Sequence, residues 1–151
     1  MTDTLSKRRL KLWVRMLRVT RLAENHLRAY LRAEHDTTLP RFDVMAALYR
    51  NRDPVTMSEL SRMLLVSNGN ATAVVDRLEL DGLAQRSPST TDRRAVFVAL
   101  TKAGAALFET LAANHETQID QLFGNLTEAE LDNVTEILRR MLPERAARGN
   151  A

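Results

Sequence analysis

The chain has 151 residues, no cysteine, and 22 basic against 19 acidic side chains, a formal charge of +3. That length suits one modest domain, or a small domain with helical extensions, and is enough to bury a core. The absence of thiols excludes disulfides and thiolate metal sites, and the mild basic excess is a modest sign of nucleic acid whose distribution matters more than its total.

From Leu5 to about Glu34 there is no Pro or Gly, and one long helix is expected. Arg8-Arg9 ahead of Leu10, Leu12, Trp13 and Val14 imitates an export signal, yet Lys11, Arg15 and Arg18 break every apolar stretch. Neither a signal peptide nor a membrane span is expected, and the expected location is cytoplasmic. One apolar stripe runs through Leu10, Trp13, Val14 and Leu17, another through Leu12, Met16, Val19, Ala23, Leu27 and Tyr30. A helix with two apolar faces needs two partners, its own domain and, best, a second subunit. Its many arginines, Arg15 and Arg18 among them, leave two readings open: a solvated face, or a basic surface for the phosphates of DNA or an anionic effector.

Thr38 can cap the next helix, with Pro40 in its first turn and Phe42, Met45, Ala46 and Tyr49 along one side. Phe42 and Tyr49 read as core more readily than as ligand contacts, whereas Arg41 beside apolar residues needs a partner. Thr56 with Glu59 forms a capping box, stapled by Val55 and Leu60, so a short helix should start at Met57. Ser67 can cap a second helix carrying Val74, Val75 and Leu78, stopped by Asp81-Gly82. Asn68-Gly69-Asn70 could mark a hairpin turn, but the helical period after it makes it the start of this helix.

Beyond Gly82 the period alternates. Leu83 to Arg86 and Ala95 to Leu100 read as strands around a polar loop with Pro88, Asp92, Arg93 and Arg94. A helix-turn-helix followed by a basic-tipped hairpin is a winged helix, whose second helix fits a major groove while the tip reaches a minor groove. Ser67, Asn68, Asn70 and Thr72 are then the candidate readers, and Asp92, Arg93 and Arg94 the wing contacts. Thr101 opens a long helix bearing Leu107, Leu111, His115, Ile119, Leu122 and Phe123, stopped by Gly124. A second capping box, Thr127 with Glu130, opens a last helix with Leu131, Val134 and Leu138, ending near Pro143 ahead of a fraying tail. These two helices carry more apolar surface than the winged unit can cover, which again calls for a partner copy.

The runs Met57-Ser58-Glu59-Leu60-Ser61, Val66-Ser67, Asp76-Arg77-Leu78-Glu79, Asp81-Gly82-Leu83, Asp92-Arg93-Arg94 and Leu100-Thr101-Lys102-Ala103-Gly104 closely resemble the MarR family of winged-helix transcription regulators over the central third of the chain. The resemblance implies that Arg94 enters the minor groove with Asp92 orienting it, and that Arg77 holds phosphate. The chain departs from many members in carrying Ala73, not a long polar residue, after Thr72, which shifts base readout to Asn68, Asn70 and Thr72. The family also implies an intertwined dimer and a cleft near Thr38 to Phe42 for small anionic or aromatic molecules. Wedging the dimer away from a spacing of about 34 Å between recognition helices would release DNA. The stretches Leu39 to Met45 and Ser67 to Asn70 are similar to a branch that senses aromatic acids or their coenzyme A thioesters. Arg15, Arg18, Arg41, Phe42, Met45 and His115 are the candidate effector contacts.

The expected fold is therefore mainly α: a winged helix-turn-helix over residues 37–100, a dimerisation helix over 1–36, and dimerisation helices over 101–151. The expected function is a dimeric, sequence-specific regulator of a pseudo-palindromic duplex operator, a repressor released by an anionic aromatic ligand or aryl-CoA thioester. A rival is a winged helix that binds another protein, since fold alone does not fix function. His26, His35 and His115 are scattered, no metal-ligand or phosphate-loop spacing occurs, and no nucleophile and base pair stands out. Neither an enzyme nor a cofactor is expected, and His115 reads as a core histidine or an effector contact.

Overall fold

The computed structural model describes residues 3–142, so the expected helix end at Pro143 and the tail beyond it lie outside the described residues. The chain divides into two compact units, residues 1–39 and 40–151.

The first unit is built on α1 (Leu5–His35). Thr4 caps it, accepting the Lys7 N–H on its side chain, and Lys11 pairs with Asp3 ahead of the helix. Asp36 ends it in the left-handed region at φ 48°, its N–H returning to the Leu31 carbonyl. Leu27 and Leu31 are buried, while Leu10, Leu12, Trp13, Val14 and Val19 are exposed. Among the described residues no helix is long and apolar enough to cross a membrane.

In the second unit, α2 (Leu39–Arg50) supplies much of the core through Phe42, Val44, Met45 and Leu48. Strand β1 (Val55–Thr56) leads into α3 (Met57–Leu64), where both bonds of the Thr56–Glu59 capping box are made. Leu65 closes α3 at φ 54°, a left-handed position for a non-glycine residue. Helix α4 (Asn68–Leu80) starts on Ser67, whose hydroxyl accepts the Asn70 N–H, and buries Ala71, Val75 and Leu78. Gly82 then turns the chain at φ 75°.

Strands β2 (Ala84–Pro88) and β3 (Val96–Leu100) form the hairpin, slightly displaced from the expected bounds. A third strand, which periodicity did not predict, joins them: β1 pairs antiparallel with β3, Val55 facing Val98 and Thr56 facing Phe97, in the order β1-β3-β2. Two residues are too few to show alternation, and the pairing exists only once β3 is beside them. Helix α5 (Lys102–Phe123) starts on Thr101, whose hydroxyl donates to the Gly82 carbonyl at 2.7 Å and accepts the Gly104 N–H. Gly104 is dictated by packing, because a Cβ there would overlap the Leu83 carbonyl oxygen. The last described helix, α6 (Glu128–Met141), opens on the Thr127–Glu130 capping box and buries none of its side chains; Leu131, Val134, Ile137 and Leu138 are all exposed.

Candidate nucleic-acid interface

The first turn of α4 carries the candidate readers. Ser67, Asn68, Asn70 and Thr72 are all exposed, at a helix N-terminus where unpaired backbone N–H groups and the macrodipole favour anions. Gly69 has open space around its missing side chain, leaving the backbone approachable. Arg77, nearly three turns along, is also exposed.

The wing tip is held by its own polar atoms. Ser89 Oγ accepts the N–H groups of Thr91 at 3.2 Å and Asp92 at 3.1 Å, and the Ser89 N–H donates to the Ala95 carbonyl. Asp92 Oδ1 accepts the Arg94 N–H at 2.9 Å, so the aspartate fixes the arginine's backbone rather than its guanidinium. Among the described residues, the side chains of Arg77, Arg93 and Arg94 make no ion pair, which leaves their charge available to phosphate.

Sequence reasoning missed Arg86. From β2 it reaches α4, with guanidinium nitrogens 2.6 Å from Asp76 and 3.5 Å from Glu79, while its backbone N–H donates to Glu79 at 2.8 Å. The available signal was two acids three residues apart on one helix face, followed by an arginine that the turn at Gly82 brings back to them.

The expected effector contacts fall in both units. In the second, Phe42 stacks on His115 at 4.1 Å between centroids, and Phe108 lies against Phe42 and Tyr49. Tyr49 is not core as expected but half-exposed, donating its hydroxyl to Glu109 at 2.9 Å, and hydrogen bonding to that carboxylate raises its pKa. His115 Nδ1 is buried without a hydrogen-bond partner among the described residues, and desolvation lowers the ring's pKa. Met45 is core, 1% exposed. Arg41 meets Asp81 at 2.7 Å. In the first unit, Arg15 and Arg18 lie on an exposed stretch of α1 with Leu10, Lys11 and Val14. No cluster of metal-ligating side chains occurs among the described residues.

Residues 35–95 match the family model described as the MarR family. The HTH-type transcriptional regulator MhqR of Bacillus subtilis is 30% identical over 91% of this chain and 93% of its own. A crystallised mutant of MarR from Escherichia coli, complexed with operator DNA, superposes with a TM-score of 0.79 at 30% identity, covering 93% of this chain and 100% of that one. Sco3205 from Streptomyces coelicolor, at 23% identity, shares the fold with a TM-score of 0.82 over 97% of this chain and 95% of its own. The fold is a winged helix-turn-helix, the relatives are regulators rather than enzymes, and the chain belongs to the MarR family of transcriptional regulators.

Proposed function

We propose that this protein is a homodimeric, sequence-specific DNA-binding regulator, a repressor that leaves a pseudo-palindromic operator when a small anionic aromatic molecule or an aryl-CoA thioester binds. The observation that carries the DNA-binding reading is the pairing, on one small unit, of an exposed polar start of α4 with a self-ordered wing tip whose arginine side chains make no ion pair among the described residues. In this reading Asn68, Asn70 and Thr72 meet base edges, Ser67 and Arg77 meet backbone, and Arg93 and Arg94 enter the neighbouring groove with Asp92 as their support. Support also comes from the E. coli relative in complex with its operator.

Dimerisation is supported by apolar surface that one copy leaves in water: Leu131, Val134, Ile137, Leu138 and Met141 of α6, and Leu10, Trp13 and Val14 of α1. The division of labour proposed is residues 37–100 for DNA, with 1–36 and 101–151 for the partner copy.

For the effector, the Phe42–His115 stack with its unsatisfied imidazole nitrogen supports an aromatic ligand with a donor group. Because Phe42 and Met45 are buried, such a ligand must part that packing, which is how binding would be felt by the fold. Arg41, paired with Asp81, would exchange that carboxylate for the ligand's negative charge. Taken by itself, the first unit carries Arg15 and Arg18 beside the exposed apolar Leu10 and Val14, and their charge suits phosphate groups such as those of an acyl carrier. Calorimetry with aryl-CoA thioesters against the free acids tests this: a preference for the thioester that disappears in an Arg15→Ala/Arg18→Ala variant is expected, and equal binding of both overturns the thioester reading.

Salt titration tests DNA binding. With three or four phosphates per subunit, log affinity for duplex should fall against log salt with a slope of about −5 to −7. A flat response, or no duplex binding at low salt, overturns the reading in favour of a protein partner.

A further inference from the structure

Two carboxylates, Asp76 and Glu79, lie one turn apart on the helix proposed to meet a polyanion. Placed there without a counter-charge they would oppose binding. Arg86 answers both, with the fork of its guanidinium on Asp76 at 2.6 Å and Glu79 at 3.5 Å, and its backbone N–H on Glu79 at 2.8 Å. Its side chain is 23% exposed. Arg77, Arg93 and Arg94, by contrast, make no ion pair among the described residues. Arg86 is thus committed to protein, not phosphate.

We infer that Arg86 is a positioning residue, which with Asp76 and Glu79 fixes the wing against the recognition helix at the separation that simultaneous insertion into two grooves requires. An ion pair whose carboxylates are 61% and 43% exposed adds little to folding. Its worth is geometric: α4 and the hairpin must enter their grooves together, and holding them ready removes an ordering cost from binding. The planar fork suits this, since it meets two carboxylates at once where an ammonium offers a point charge. The acids therefore favour specific binding despite carrying the wrong sign for it. The inference rests on the DNA-binding reading above.

The test uses the full chain and a duplex that the wild-type protein selects from a randomised pool, beside a duplex of random sequence. Electrostatics alone predicts that Asp76→Asn/Glu79→Gln, which removes two negative charges near DNA, tightens both complexes. Positioning predicts that affinity for the selected duplex falls about tenfold while random duplex binds unchanged or tighter. Asp76→Asn alone, at a largely exposed side chain that folding tolerates, should show the same inversion at about threefold. Arg86→Gln should match the double variant without altering the salt slope, because no phosphate contact is lost. Equal or tighter binding of the selected duplex by the acid-neutralised variants overturns the inference, as does a salt slope shallower by about one in Arg86→Gln. Those outcomes leave DNA binding standing, whereas a wild-type protein that selects no duplex overturns both.

Discussion

The guanidinium of Arg41, in the first turn of α2, meets the carboxylate of Asp81, the residue that caps the C-terminus of α4, at 2.7 Å. A carboxylate at that end of a helix opposes the macrodipole, and the arginine offsets it. The side chains are 18% and 37% exposed, so solvent screens the pair and its coupling should be small, about 0.5–1 kcal/mol. A double-mutant cycle with Arg41→Ala and Asp81→Ala, read by urea unfolding without DNA, measures it. A coupling indistinguishable from zero would mean that the contact carries no energy between α2 and α4.

Arg94→Ala should weaken operator binding by about 1–3 kcal/mol and leave the proposed dimer intact, because the residue sits on an exposed tip and makes no ion pair among the described residues. Sedimentation and fluorescence anisotropy on the same preparation separate the two effects. Loss of the dimer would place the arginine in an interface instead of a groove.

Gly104→Ala should destabilise the fold by about 1–3 kcal/mol, since the new methyl meets backbone and not a movable side chain. The Leu83 carbonyl it would displace also accepts the Thr101 N–H at 3.1 Å. Denaturant midpoints report the change, and an unaltered midpoint would show that the start of α5 can slide without cost.

Burial holds the His115 imidazole below its ordinary pKa of 6.5, so the unfolded chain takes up this proton at a higher pH than the folded one. Stability from the neutral ring is therefore complete above the unfolded pKa and is lost as pH falls through the folded value. His115→Phe preserves a ring against Phe42 while abolishing the titration. Between about pH 7 and about pH 5 the variant should lose less unfolding free energy than the wild type. Parallel curves would assign the acid sensitivity to other groups.

Local signals in the chain were easily read. The two capping boxes, the Ser67 cap and the Asp81-Gly82 stop each involve residues within one turn of each other, so their geometry follows from spacing. Strand β1 was hidden because Val55-Thr56 acquires a partner only from residues some forty positions on. The Tyr49–Glu109 bond was hidden for the same reason, since a hydrogen bond between two helices far apart in the chain leaves no periodicity behind, whereas the Arg86 clamp joins near neighbours and had the local signal of two acids on one helix face. Tyr49 also shows the limit of reading an aromatic at helical spacing as core: its ring packs on Phe108 while its hydroxyl stays wet. The wing motif spelled out its arginines, but spacing does not say whether Asp92 meets the Arg94 side chain or, as the structure has it, the Arg94 backbone N–H.

Thr56 belongs to two elements at once, ending the strand that pairs with β3 and beginning α3 through its capping box. A hairpin that tilted to follow a wider or narrower groove would pull on that residue and unfasten the helix start. In the proposed mode of binding such a unit would act as a stiff caliper, and a mismatch in groove width would fall on the nucleic acid, which would have to bend or be refused.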